Sequence, residues 1–280
     1  MLNIIDALKL AAEFLEKKNI ESPRLNAELL LCKILYSDRV GIYTQFDKPL
    51  KNSELTQYRE LLQRKSRHEP LQYILGSVNF YGLTFLVDNN VLIPRPETEL
   101  LVSCVLENMD SSDVNLLDIG CGSGNIGITI GKLVPDSKVT CLDISSEALS
   151  LAQKNAKLNS VNDIEFIKSD ILRENLHAKK YDLVISNPPY VSISEKKNMQ
   201  KEIVDHEPAI ALFVQDEMLF YKRICEICRS ILKSSGKLFF EIGQGQAERV
   251  LALLRENNFH NIKIERDLYK IERIIWGELQ

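Results

Sequence analysis

Along the first part of the chain, apolar positions recur at three- and four-residue steps. Ile5, Leu8, Ala12 and Leu15 line one side of a helix, and Leu25, Leu29, Cys32 and Leu35 line a second. Ser22 and Pro23 are placed to supply an N-cap and a first-turn proline for that second helix. A shorter segment follows at 38–46, and Asn52-Ser53 opens a fourth helix that runs to Glu69. The pattern predicts a small N-terminal helical bundle, residues 1–70. Over 71–93 the period changes. β-Branched and aromatic residues broken by Gly76, Gly82 and Asn89-Asn90 predict a β-hairpin linker. Pro96-Glu97 then places a proline and an acid in the first turn of a helix reaching about Met109.

From 114 onward short apolar runs alternate with helical ones. VNLLDIG, KVTCLDI, IEFIKSD, YDLVISN and GKLFFEIG read as strands, with helices at 125–134, 145–159, 217–233 and 246–258 among them. This alternation predicts a Rossmann-like α/β domain over 94–280, with a parallel sheet covered by helices on both faces. The last two runs, IKIERDL and ERIIWGEL, have no helix between them and are expected to pair as an antiparallel C-terminal hairpin.

The first strand of that domain ends in Asp118-Ile-Gly120-Cys121-Gly122-Ser123-Gly124, and a helix follows. Glycines on a strand-to-helix turn let a ligand touch the backbone, and the helix start offers unpaired N–H groups. Two readings stand side by side. Gly122 to Gly127 spells a dinucleotide fingerprint, while the acid followed by alternating glycines from Asp118 suits S-adenosyl-L-methionine. Asp143, at the end of the next strand, is placed to accept from both ribose hydroxyls of either cofactor. At the end of the third strand, Asp170 is suited to an adenine amino group and Ile171 to the face of the ring.

The fourth strand separates the readings. It delivers Asn187-Pro188-Pro189-Tyr190. Two successive prolines remove two N–H donors, which leaves the Asn187 side-chain oxygen and the Pro188 carbonyl as an acceptor surface. A planar –NH2 group presents two donors that fit such a pair, and Tyr190 is available to pack over its plane. A nicotinamide-dependent oxidoreductase gives this segment no work.

Composition narrows the field further. Lys plus Arg is 35 against 39 Asp plus Glu, a net charge of −4, and the two signs are balanced both before and after residue 90. The basic face expected of a nucleic-acid enzyme is therefore missing, which argues against an amino-directed DNA methyltransferase. No apolar run approaches the roughly 18 residues of a membrane span. The N-terminus mixes charges into its apolar positions and does not read as a secretory signal, and the six cysteines follow no framework of spacings. A cytoplasmic protein with free thiols, acting as a monomer without a metal, is the expectation. Cys225 and Cys228 read as helical core or surface thiols. The Arg64–His68 cluster reads as a solvated helix end and His206 as a loop residue. Arg95 and Glu97 mark either a helix start with a local ion pair or part of a lid.

Taken in order, PLQYILG, VLIPRPETELLV, DIGCGSGNIGI, SNPPYV, EPAIALF, GKLFFEIGQGQ and DLYKIERIIWG resemble the peptide chain release factor glutamine methyltransferase family (HemK/PrmC) over nearly the whole chain. The resemblance implies a class I methyltransferase sheet and S-adenosyl-L-methionine as cofactor. It also implies methylation of the glutamine side-chain amide in the Gly-Gly-Gln loop of peptide chain release factors, and so a role in translation termination. By the same token, Gly120, Cys121, Gly122, Ser123, Gly124, Asp143, Asp170, Ile171 and Asn187 would hold the cofactor. Asn187 and Pro188 would be catalytic, and Asn187 to Tyr190 would bind the glutamine. The helical bundle would recognise the substrate protein. Ile171 departs from members that carry an aromatic residue there. A cofactor-binding module without catalysis is the rival from another class, and the intact Asn187 speaks against it.

Overall fold

The computed structural model describes residues 2–176 and 179–280. They form two compact units: the chain up to Gly76 together with Gln200–His206, and Ser77–Met199 together with Glu207–Gln280. No helix among the described residues is long and apolar enough to cross a membrane.

The first unit holds α1 (Ile4–Glu16), α2 (Pro23–Leu35), α3 (Arg39–Thr44), α4 (Asn52–Lys65) and α5 (Leu71–Leu75). Helices α1 and α2 meet in one core, where Leu8, Leu15, Leu30 and Leu31 are fully buried; α2 thus turns Leu30 and Leu31 inward with Cys32, while Leu25 of the predicted stripe is 40% exposed. Three local details differ from expectation. Ser22 adopts a left-handed backbone and makes no side-chain cap; its carbonyl instead accepts from the Asn26 N–H and side-chain amide at 3.1 Å each. Helix α4 stops at Lys65, four residues early, and His68 takes a positive φ. In the cluster at its end Arg64 and Arg67 are exposed, as expected, but Lys65 is not. Lys65 is buried, donates to the Glu69 carbonyl at 3.0 Å and pairs with Glu202. Glu202 belongs to the short helix α9 (Lys201–His206), so His206 ends a helix, where its Nε2 lies 3.4 Å from the Arg67 carbonyl.

In the second unit a hairpin, β1 (Ser77–Phe80) and β2 (Leu83–Leu86), occupies only the middle of the predicted 71–93 span. Leu71–Leu75 is helical because Leu71, Ile74 and Leu75 pack on the first unit's core. After α6 (Thr98–Glu107), which starts two residues beyond Pro96, come β3 (Asn115–Ile119), α7 (Asn125–Leu133), β4 (Lys138–Asp143), α8 (Ser146–Leu158), β5 (Ile164–Lys168) and β6 (Tyr181–Ser186). Two short strands, β7 (Val191–Ser192) and β8 (Phe213–Val214), pair with each other. The chain closes with α10 (Leu219–Ile231), β9 (Leu232–Glu241), α11 (Ala247–Glu256), β10 (Phe259–Arg266) and β11 (Glu272–Leu279).

Seven strands form one sheet in the order β10-β11-β9-β6-β3-β4-β5, with β11 antiparallel to both of its neighbours and the other pairings parallel. The C-terminal hairpin thus sits at one end of the sheet, as expected. Strands β3 and β6 are buried on both faces, which explains why successive rather than alternating positions are apolar at Leu116-Leu117 and Leu183-Val184-Ile185. From β3 the chain first builds outward through β4 and β5, then returns to lay β6 on the other side. That reversal opens a crevice above β3, where open α/β sheets take ligands.

Candidate active site

Register decides what meets at the crevice. Ile119 of β3 pairs with Ser186 of β6, and the Ser186 hydroxyl donates to the Ile119 carbonyl at 2.8 Å. The next residues on the two strands are Gly120 and Asn187, so the glycine turn and the Asn-Pro-Pro-Tyr segment leave the sheet side by side. On the other flank Asp143 pairs with Lys168, which brings the Asp143 and Asp170 turns to the same edge.

A cleft of about 1130 Å³, counted to its open mouth, is lined by Gly120, Gly122, Asp143, Asp170, Ile171, Asn187, Pro188 and Pro189 among others. Gly120 and Gly122 have φ of +74° and +54°, a backbone that disfavours side chains, and a β-carbon at either would meet no atom within 4 Å. Open space beside bare backbone at the start of α7 fits an elongated ligand laid across the turn. Gly124 serves packing instead, since a β-carbon there would stand 2.5 Å from Ile128.

Asp143 is the hinge of this region. Its Oδ2 accepts the Gly122 N–H at 2.8 Å and its Oδ1 accepts the Ser145 N–H at 2.9 Å. Burial raises its carboxyl above the ordinary range, against these backbone bonds. A carboxylate has about four lone-pair sites, so ribose hydroxyls still find acceptors there. Asp118 lies beneath the turn, fully buried, with Oδ2 accepting from Gly127 N–H at 3.0 Å. Burial pushes it up to about 7, with the Asp143 charge adding to the rise.

Four predicted residues do not line the cleft. Cys121 is buried with its thiol against Cys141. Ser123 is buried, its carbonyl accepting at 2.9 Å from Asn155, whose amide also pairs with the backbone of Leu86. Gly124 is the packing glycine just described. Tyr190 is half-buried against the core that contains Tyr221, and its carbonyl accepts from the Gln246 amide at 3.1 Å. Ile171 reaches the cleft but is nearly enclosed, at 6% exposure, and its carbonyl takes the Arg223 guanidinium. More apolar surface at the cleft comes from Ile144 and Leu172, at 42% and 37% exposure, which the sequence reading did not single out.

The reading also missed the side chains behind Asn187. Its Nδ2 donates to the Thr98 hydroxyl at 3.3 Å, and Thr98 Oγ1 lies 2.7 Å from Glu241 Oε2. Thr98 and Glu241 are both buried. Burial pushes the Glu241 carboxyl up to about 7, against the Thr98 hydrogen bond, the Arg273 charge and the Asn187 amide; Glu97 adds to the rise. Arg95 pairs with buried Glu207, which also accepts the Ile93 N–H at 3.3 Å, so its partner is distant in sequence rather than local. Cys225 and Cys228 are fully buried in α10, where burial pushes the Cys225 thiol up to about 12.

Two family models match the chain: "PrmC N-terminal domain" over residues 6–76 and "Methyltransferase small domain" over residues 96–218. A release factor glutamine methyltransferase of Flavobacterium psychrophilum is 42% identical over 85% of each chain. One from Leptospira interrogans is 39% identical over 98% of this chain and 97% of its own. Among solved structures, the hMettl16 catalytic domain in complex with MAT2A 3'UTR hairpin 6 superposes with a TM-score of 0.59 at 15% identity, covering 82% of this chain and 83% of that one. A methyltransferase from Pyrococcus furiosus gives 0.52 at 16% identity, covering 71% and 90%. At these identities the structural likeness is one of fold.

Proposed function

The chain belongs to the release factor glutamine methyltransferase family, and from that premise we propose that it transfers a methyl group from S-adenosyl-L-methionine to the glutamine side-chain amide in the Gly-Gly-Gln loop of a peptide chain release factor. The observation that carries this reading is the pairing of Ile119 with Ser186, which puts the glycine turn and Asn187-Pro188-Pro189 on one crevice.

In this reading Gly120, Gly122 and Asp143 hold the cofactor along the ends of β3 and β4, and Asp170 with the apolar side chains around it holds the base. When bound, S-adenosyl-L-methionine supplies an electrophilic methyl on sulfur. The chain's task is then mostly positioning, because an amide nitrogen is a weak nucleophile with its lone pair spread into the carbonyl. The Asn187 oxygen and the Pro188 carbonyl take the two protons of the substrate –NH2 and hold its plane. Both acceptors bind more strongly as that nitrogen gains positive charge, so they favour the transition state over the bound amide. The methylated amide nitrogen is a strong acid and sheds its proton without a strong base, consistent with an acceptor surface free of His or Lys.

The helical unit is proposed to grip the release factor. Tyr36, Val40 and Phe46 stand exposed on it, at 97%, 69% and 52%, as apolar side chains available to a protein partner. The near-balanced charge supports the same choice, since phosphate contacts dominate nucleic-acid affinity. We place the reaction in the cytoplasm, with the enzyme acting as a monomer and without a metal.

Mass measurement of a release factor after incubation with enzyme and cofactor tests the reading. The intact factor should gain one CH2 and its Gln→Ala loop variant none. Labelled methyl in DNA, with none in the release factor, would overturn it.

A further inference from the structure

An asparagine side chain presents either an acceptor or a donor to its pocket, depending on which way the amide is turned, and the two ends differ little in shape. Capture of an –NH2 group needs the oxygen outward. The chemistry behind Asn187 decides the matter. An ionised Glu241 is acceptor only, so the proton shared at 2.7 Å must be that of the Thr98 hydroxyl. With its proton committed to Glu241, Thr98 Oγ1 faces Asn187 as an acceptor, and only the Nδ2 end satisfies it, at 3.3 Å. A reversed amide would set its oxygen against two acceptors in a buried place. We infer that Thr98 and Glu241 are positioning residues that hold the Asn187 oxygen toward the substrate amide, so that the donor-reading polarity of the pocket is set by a relay from a buried carboxylate.

The inference rests on the proposed role of Asn187. Its three members come from the start of α6 and the ends of β6 and β9. The Thr98–Glu241 pair spans the sheet's active-site edge and belongs to no cofactor contact, since neither residue lines the cleft. The groups facing Glu241 are Arg273, Glu97, Tyr190 and Tyr221. Arg273, held by Asp267 at 3.1 Å, favours the ionised form. Glu97 opposes it, and burial keeps both tyrosines protonated. A protonated Glu241 offers its own O–H to Thr98, frees the Thr98 proton for Asn187, and lets the amide turn.

The test uses the full chain, a release factor bearing the Gly-Gly-Gln loop, and labelled S-adenosyl-L-methionine. Thr98→Val should lower kcat by at least about tenfold while cofactor affinity stays within about twofold, and Thr98→Ser, which keeps the hydroxyl, should hold kcat within about threefold of wild type. Glu241→Gln, which no longer enforces one direction, should lower kcat and remove the acid-side fall of the wild-type pH profile. Three results would overturn the inference in an otherwise active enzyme: wild-type kcat in Thr98→Val, equal damage from the Ser and Val variants, or an unchanged acid limb in Glu241→Gln. A wild-type enzyme that transfers nothing to the release factor would instead remove the proposed function, and the inference with it.

Discussion

Asp143 accepts the Gly122 N–H at 2.8 Å, so the acid at the end of β4 also fixes the shape of the turn that follows β3. One side chain thus serves the pocket wall and a proposed cofactor contact. Asp143→Ala removes the acceptor for Gly122 and Ser145 as well as for the ribose. It should weaken S-adenosyl-L-methionine binding by about 1.5–3 kcal/mol, the range for hydrogen bonds to a charged group. Calorimetry that finds unchanged affinity in a folded variant would sink the assignment.

Asn187→Ala should separate binding from turnover. The lost acceptor matters most as the substrate nitrogen becomes cationic, so kcat should fall by about a hundredfold or more with cofactor affinity nearly unchanged. Single-turnover rates at saturating release factor check this, and equal rates for variant and wild type would refute it.

The buried carboxyl of Asp118 makes a prediction about pH. Its folded-state value is about 7 against an ordinary 3.8, so between those limits the folded protein holds the proton more tightly than the unfolded chain. Stability is therefore favoured below about pH 4 and lost as pH rises through 7. Asp118→Asn keeps an acceptor for the Gly127 N–H but does not titrate. Its stability relative to wild type should rise from pH 4 to 7 and then level, by on the order of a few kcal/mol. Urea unfolding at pH 4.5, 6 and 8 reads the difference directly; parallel curves would exclude the effect.

Lys65 and Glu202 carry a prediction for the helical unit. Glu202→Gln leaves a buried ammonium that keeps its hydrogen bond to the Glu69 carbonyl but loses its carboxylate, and should cost about 1–3 kcal/mol. Adding Lys65→Met, which removes the stranded charge, should recover much of the loss. Thermal melts of the two variants decide it, and a double variant less stable than Glu202→Gln alone would contradict the account.

The parallel strands and their turns were legible because each signal is local. An apolar run, a glycine series or a proline pair needs only neighbouring residues, and parallel strands deliver such turns to one edge. What escaped is non-local. Thr98 and Glu241 lie 143 positions apart, and Arg95 and Glu207 lie 112 apart. Nothing near either residue announces its partner. Within the basic run at Arg64–His68 only Lys65 departs from a solvated helix end, for the same reason, since the carboxylate that lets it be buried arrives from α9. Ser22 failed as a cap because its left-handed backbone directs the carbonyl, not the hydroxyl, at the first turn. Ile171 follows Asp170 in sequence, yet Ile144 and Leu172 keep more of their surface in the open at the same cleft.

The excursion of Gln200–His206 into the helical unit changes what a boundary means in this chain. A fragment cut after Gly76 would lack the helix that supplies Glu202 and would leave Lys65 short of its carboxylate. A chimera built from two relatives would need two exchanged pieces, not one, to keep the pair matched. Recombination between family members is therefore expected to tolerate a crossover near Gly76 only when both parents agree at positions 65 and 202, a constraint that can be read by shuffling two family genes and sequencing the folded survivors.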